Sequence, residues 1–307
     1  MNIFLGSEIT QPAPNAAAFH IIPVPFEHSV SYGGGTAKGP AAIISASQQL
    51  ELYDGEGIPA KGGIYTQEAV RCDVAREDVF NEIGERTLYA LSSGAVPVLL
   101  GGEHAVSFPA VQAVQQHLRS SEPRANIGIV QIDAHSDLRD RYEDDPHSHA
   151  TVMRRVFDLG VPMLQLGVRA ISPEELSLRA QNPDRIRYID ARSLLRPTGQ
   201  AAHQSIAERI LPLLESLPEH LYLTIDADGL DPALIPATGT PEPGGLGWYD
   251  VLEIIDAVAA RRRIVAADLV ELAPIAGLHA SEFICARLVY QLMGAIARRA
   301  VSHSGVV

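Results

Sequence analysis

Short apolar runs alternate with helix-period stretches from one end of this 307-residue chain to the other. Phe19 to Val24 reads as a first strand, and the runs at Val96 to Leu100, Ile127 to Ile132, Met163 to Gly167, Ile186 to Ile189, Leu221 to Ile225 and Ile264 to Leu269 read as further strands. Pro40 to Leu52 reads as a helix opened by Gly39-Pro40. Asp78 to Ser92 reads as another, with Ile83, Leu88 and Leu91 offered to the core. Further helices are expected near Phe108 to Leu118, Pro173 to Gln181, Ile206 to Leu217, Trp248 to Ala260 and Ser281 to Ala297. Such alternation predicts a mostly parallel sheet with helices on both faces. No long linker, low-complexity tract or fixed-period repeat divides the chain, so one domain over residues 1–307 is expected.

Three of the strands run into polar segments that change the picture. They are Gly101-Gly102-Glu103-His104, Asp133-Ala134-His135-Ser136-Asp137, and Asp226-Ala227-Asp228 leading into Gly229-Leu230-Asp231-Pro232. Alternate side chains of an extended strand end share a face, so Asp133, His135 and Asp137 can point one way, and so can Asp226 and Asp228. An Asp at a strand end often merely makes a turn or caps a helix. Turn chemistry does not demand the histidines, however, and parallel strands deliver their carboxyl ends to one edge, where ligands bind in open α/β sheets. Four Asp carry −4, which two divalent cations would neutralise. The segments therefore predict a two-metal site.

Composition trims the alternatives. The net charge of −13 disfavours nucleic acid and anionic membranes as partners. No apolar run approaches the roughly 18 residues of a membrane span, and Met1 to Asn15 has neither the basic nor the apolar part of a signal peptide. With only Cys72 and Cys285, no disulfide framework is expected, and a cytoplasmic location is favoured. The donor set is Asp oxygen and His nitrogen without Cys, which suits Mn²⁺ and tolerates Zn²⁺, Ni²⁺, Co²⁺ or Fe²⁺. Two such ions about 3.5–4 Å apart would lower the pKa of a water between them to near neutrality. Neither a G-x-S-x-G nucleophile elbow nor a GxGxxG dinucleotide loop occurs.

These segments, with Val24-Pro25-Phe26-Glu27, Ser31-Tyr32-Gly33-Gly34-Gly35-Thr36, Gly39-Pro40, Ser148-His149-Ala150-Thr151, Gly239-Thr240-Pro241-Glu242 and Asp268-Leu269-Val270-Glu271, closely resemble the ureohydrolase family, the arginases and agmatinases, and most of all the agmatinases. The resemblance covers nearly the whole chain. It implies an arginase-like three-layer αβα fold around a mostly parallel sheet of about eight strands. It also implies a binuclear manganese centre, hydrolysis of a small cationic guanidino substrate to urea and an amine, and a homo-oligomer, trimeric or hexameric. Carried over residue by residue, His104, Asp133, Asp137 and Asp226 would hold one ion, and Asp133, His135, Asp226 and Asp228 the other. A bridging hydroxide would attack the guanidinium carbon while Asp137 takes its proton, His149 shuttles protons, and Glu271 pairs with the guanidinium. A carboxylate suits that last task independently, because it meets parallel N–H donors in a two-pronged, charge-assisted contact. Glu103 stands where the family more often has Asp, and is expected to support His104. Ala37 to Ile44 lacks the arginines of many relatives.

The loop after the second segment runs Leu138-Arg139-Asp140-Arg141-Tyr142-Glu143-Asp144-Asp145. It lacks the Asn- and Ser-rich stretch of arginases, and its acidic run Glu143 to Asp145 is expected to accept a distal ammonium. That favours agmatine, giving putrescine, over arginine. Guanidinobutyrate, guanidinopropionate, guanidine, aminopropylagmatine and formiminoglutamate stay open, as does a metal-binding pseudoenzyme subunit. A deacetylase with one zinc ion would not need both His104 and Asp137.

Overall fold

The computed structural model describes residues 3–122 and 124–304, so both ends of the 1–307 domain reading and the first two residues of the leader reading lie outside them. Along the chain run β1 (Phe19–Val24), α1 (Gly39–Ser47), β2 (Ile64–Thr66), α2 (Arg76–Ser92), β3 (Val96–Gly101), α3 (Ser107–Ser121) and β4 (Ile127–Ile132). There follow α4 (Val152–Asp158), β5 (Met163–Leu166), α5 (Pro173–Gln181), β6 (Ile186–Ile189), α6 (Ala191–Leu195), α7 (Ile206–Glu215), β7 (His220–Asp226), α8 (Trp248–Arg261), β8 (Arg263–Val270) and α9 (Ala280–Ser304).

All eight strands join one sheet in the order β2-β1-β3-β8-β7-β4-β5-β6. Every neighbouring pair is parallel. Strand side chains alternate between two buried faces, which is why the runs read as continuously apolar. Val98, Val130 and Leu223 join Ile43 of α1, Ile210 of α7, Ile254 of α8 and Leu288 of α9 in one core. Leu99, Ile129 and Tyr222 join Ile83 of α2, Val111 of α3 and Met153 of α4 in the other. Each fully buried Leu, Ile or Val contributes about 1.5–3 kcal/mol, so the two cores together hold the three layers. The αβα architecture with eight parallel strands is the one expected.

The differences lie in the short elements. Strand β2 is three residues long, and α4 and α6 are seven and five, too short for a periodic signal. Helix α1 stops at Ser47 rather than reaching Leu52.

The topology places the site. Between β3 and β4 the chain skips the positions later filled by β8 and β7, so the carboxyl ends of β3, β8, β7 and β4 stand side by side. Crowding there dictates two glycines. A Cβ on Gly102 would lie 2.0 Å from the Phe26 carbonyl oxygen, and one on Gly229 would lie 2.9 Å from that of Ile132. Both sit beside proposed ligands, and only glycine lets the backbones approach so closely.

Candidate metal centre

The carboxyl ends of those four strands deliver His104, Glu271, Asp226 with Asp228, and Asp133 with His135 and Asp137 into one place. His104 Nδ1 lies 3.2 Å from Asp133 Oδ2, 3.0 Å from Asp137 Oδ2 and 3.3 Å from Asp226 Oδ2. His135 Nδ1 lies 3.0 Å from Asp228 Oδ2 and 3.8 Å from Asp133 Oδ1. Two sets of donor atoms, His104 with Asp133 and Asp137, and Asp133 with His135 and Asp228, each fall within 4.8 Å of one another. Asp133 belongs to both. Asp226 faces His104, and its Oδ1 accepts the Asp228 backbone N–H at 2.8 Å.

One atom tests whether cations fit. His104 Nδ1 is buried and has no hydrogen-bond partner, although three carboxylates face it. Its other nitrogen, Nε2, lies 2.9 Å from Thr224 Oγ1. Thr224 in turn hydrogen-bonds Asp268, whose Oδ2 also accepts the hydroxyls of Ser107 and Tyr222, each at 2.6 Å. With a cation at Nδ1, Nε2–H would donate to Thr224, as in metal sites where an outer contact fixes the tautomer. An all-oxygen-and-nitrogen donor set around such an unpartnered buried nitrogen fits two divalent cations.

The electrostatics agree. Burial, reinforced by the charges of Asp137 and Asp228, pushes the Asp133 carboxyl up to about 7. Burial and the charges of Asp228 and Asp133 push Asp226 well above the usual carboxylate range. Burial alone would depress both imidazoles, but the facing carboxylates outweigh it, raising His104 well above its ordinary value and His135 to about 10. Despite its burial, Asp228 is drawn down to about 2 by the hydrogen bond and charge of His135. Divalent ions would neutralise such a buried cluster of carboxylates.

Glu271 follows β8 and is buried at the cavity wall, its Oε1 accepting the His104 backbone N–H at 2.6 Å. Burial, with the neighbouring Glu103 charge, raises its pKa well above the ordinary value. Asp137 and Glu271 both hold φ near +60°, at 53° and 62°. Such left-handed backbone costs a non-glycine residue of order 1–3 kcal/mol and clusters at functional sites. His149 lines the same cavity, with Nδ1 3.1 Å from Ser29 Oγ and its ring edge against Tyr142. His147 instead packs against Phe80 and Phe108.

Two expectations are corrected. Glu103 does not contact the His104 ring: it accepts the backbone N–H groups of His28 and Ser29 at 2.5 and 2.6 Å and the Ser29 hydroxyl at 2.9 Å. Its longer side chain thereby holds the loop that positions His149. The acidic run also turns away. Glu143 and Asp144 are exposed at the tip of a tight turn with positive φ, and Asp145 pairs with Arg76. The loop's contribution to the cavity of about 380 Å³ is Arg139 and Tyr142, with the guanidinium 5.6 Å from the ring centroid.

Further residues support the site, and of these only Thr240, within Gly239-Thr240-Pro241-Glu242, belonged to a motif quoted from the sequence. Arg169 donates to the carbonyls of Asp228, at 2.5 Å, and Glu242, at 2.8 Å, tying two site loops together. Thr240 Oγ1 reaches Asp228 Oδ2 at 3.3 Å. Thr224 and Gln131 carried a readable signal, because each interrupts an otherwise apolar strand.

A three-layer αβα fold around a parallel sheet, with a carboxylate–imidazole cluster at its carboxyl edge, is a scaffold suited to divalent metal ions. The chain belongs to the arginase family of ureohydrolases, which residues 17–294 match. It is similar to the N(1)-aminopropylagmatine ureohydrolase of Synechocystis sp., 39% identical over 300 residues that cover 95% of this chain and 92% of that protein. It is also similar to the agmatinase of Pyrococcus horikoshii, 32% identical over 92% of this chain and 93% of that one. The fold matches the crystal structure of the agmatine ureohydrolase of Thermoplasma volcanium with a TM-score of 0.83 at 24% identity, covering 99% of this chain and 97% of that one. The family depends on a binuclear metal site, and residues that could hold one are present here.

Proposed function

We propose that the chain hydrolyses an amine-tailed guanidine, agmatine or N1-aminopropylagmatine, to urea and the corresponding amine. The carrying observation is the convergence of six Asp and His donors beside a cavity that Glu271 also lines. His104, Asp133, Asp137 and Asp226 would hold one ion and Asp133, His135, Asp226 and Asp228 the other, with Mn²⁺ favoured by the donor set. When bound, the two ions supply an activated water and Lewis-acid stabilisation of developing charge.

The chain's own residues do the rest. Glu271 Oε1 is engaged by the His104 N–H, which leaves Oε2 for the substrate. A guanidinium pairing there restores the carboxylate's charge and turns the central carbon towards Asp137. Asp137 orients the water and takes its proton, then passes it to the departing amine nitrogen. His149, half-buried and held by Ser29, carries protons between cavity and solvent. The balance is guanidinium plus water giving urea plus ammonium: one C–O bond forms and one C–N bond breaks.

The relatives' names support the amine-tailed class. Arg139 in the cavity wall favours a second reading, a carboxylate-tailed guanidine such as guanidinobutyrate. A cytoplasmic homo-oligomer completes the proposal, supported by two free cysteines and by the family resemblance. The test is urea release by Mn²⁺-loaded protein from agmatine, N1-aminopropylagmatine, arginine and guanidinobutyrate. An amine-tailed substrate should lead arginine at least about a hundredfold in kcat/KM, which needs only about 2.7 kcal/mol of discrimination. A lead by guanidinobutyrate selects the second reading, and no urea from any of the four overturns both.

A further inference from the structure

A buried Arg179 has no part in the chemistry above, yet it ends a chain of side chains that begins at Asp133. Arg179 Nε donates to Gln165 Oε1 at 2.9 Å. Gln165 Nε2 donates to Gln131 Oε1 at 2.5 Å and to the Ser136 carbonyl at 2.7 Å. Gln131 Nε2 donates to Asp133 Oδ2 at 2.7 Å. Asp133, Gln131 and Gln165 are fully buried and Arg179 nearly so, at 1% exposure.

The direction of this chain is set by chemistry. An arginine only donates, so Gln165 must turn its oxygen towards Arg179 and its NH₂ towards Gln131. Gln131 must then accept through its oxygen and present its own NH₂ to Asp133. In a low-dielectric interior successive hydrogen bonds polarise one another. The fold supplies the alignment. Gln131 and Gln165 are register partners on β4 and β5. Gln131 and Asp133, two apart, share a face. Arg179 is fixed at its other end by Asp190, 2.9 Å away, and stacks over Tyr188 at 4.4 Å. One turn earlier on α5, Glu175 accepts the Ser136 hydroxyl at 2.6 Å and the Leu138 N–H at 2.9 Å, so the same helix face grips the loop carrying Asp137.

We propose that Arg179 is a positioning residue for the metal centre: through Gln165 and Gln131 it sets the donor that orients the Asp133 carboxylate shared by the two donor sets. The inference rests on the metal reading above. It concerns how the apoprotein holds Asp133 ready for metal, so the readout is Mn²⁺ affinity rather than turnover.

The experiment titrates metal-free protein with Mn²⁺ alone, following free Mn²⁺ by electron paramagnetic resonance. Arg179→Met should weaken binding tenfold to a hundredfold, the usual cost of losing an outer contact to a ligand. Gln131→Leu should do the same, and the double variant should be no weaker than Gln131→Leu alone, because the relay is already cut. Gln165→Glu keeps the volume and the Arg179 contact but sets an acceptor against Gln131 Oε1. It should also weaken binding, and it takes the place of Arg179→Met in the double variant if that protein does not fold. Losses that multiply in the double variant, or variants that bind Mn²⁺ as the parent does, overturn the relay. A parent protein that binds no Mn²⁺ overturns the metal reading instead.

Discussion

Thr224 Oγ1 stands 2.9 Å from His104 Nε2, on the opposite side of the ring from the Nδ1 that faces the carboxylate cluster. Thr224→Val keeps the shape and removes the acceptor, freeing the ring to change tautomer. Mn²⁺ affinity should fall tenfold to a hundredfold at one of two sites while the other is nearly unchanged. A Mn²⁺ titration that matches the parent's would show that the hydroxyl does not set the tautomer.

Glu271→Gln should leave metal content intact and sharply weaken catalysis. Gln keeps an oxygen for the His104 N–H but loses the charge that meets guanidinium. Removing one partner of a buried charge-assisted pair costs about 2–5 kcal/mol, so kcat/KM should drop well over tenfold. Normal hydrolysis by this variant would mean that Glu271 is only a backbone tether.

The metal-free protein should lose stability as pH rises. In the fold Asp133 is raised to about 7, so its protonated form stabilises below the unfolded carboxyl pKa, about 4, and that contribution is lost as pH rises to 7. His135 is raised to about 10, so its contribution is complete below about 6.5 and lost on the way to 10. Asp228, lowered to about 2, runs the other way, losing its contribution only as pH falls from about 4 towards 2. Cations must displace the protons on Asp133 and both histidines, so the Tm gain from Mn²⁺ should be larger at pH 8 than at pH 6. Equal gains at the two pH values would contradict this.

Arg139 should oppose an ammonium tail. Arg139→Gln is expected to lower KM for agmatine about twofold to tenfold, a screened interaction of roughly 0.4–1.4 kcal/mol at the cavity mouth. Changing Glu143 to Gln and Asp144 to Asn should leave KM within about twofold, since exposed charges turned to solvent act weakly. An unchanged or raised KM for agmatine would contradict this, and a raised KM for guanidinobutyrate would point to a carboxylate tail.

The sheet, its parallel order and the cluster were legible because buried strands leave continuous apolar runs and their ends carry the polar residues. His104, Asp133, His135, Asp137, Asp226 and Asp228, singled out by their spacing, lie together in the structure, and His149 and Glu271, singled out through the family resemblance, line the adjoining cavity. What escaped were effects of loop direction and distance in sequence. Glu143 to Asp145 read as a pocket wall, but a turn with φ of 50° and 63° at Glu143 and Asp144 faces them outward. Glu103 read as a support for its neighbour, yet its partners lie 74 and 75 residues away. Gln165, like Gln131, interrupts an apolar strand, but its tie to Asp133 and that of Arg179 were hidden, because only the pairing of β4 with β5 brings them into line.

The most direct test of a two-ion centre is elemental analysis of protein reconstituted with Mn²⁺, read beside its urea-forming activity. The parent should hold two ions per chain at full activity. Asp226→Asn should lose most activity together with metal, because Asp226 is assigned to both ions. Full activity with one ion per chain would contradict the account.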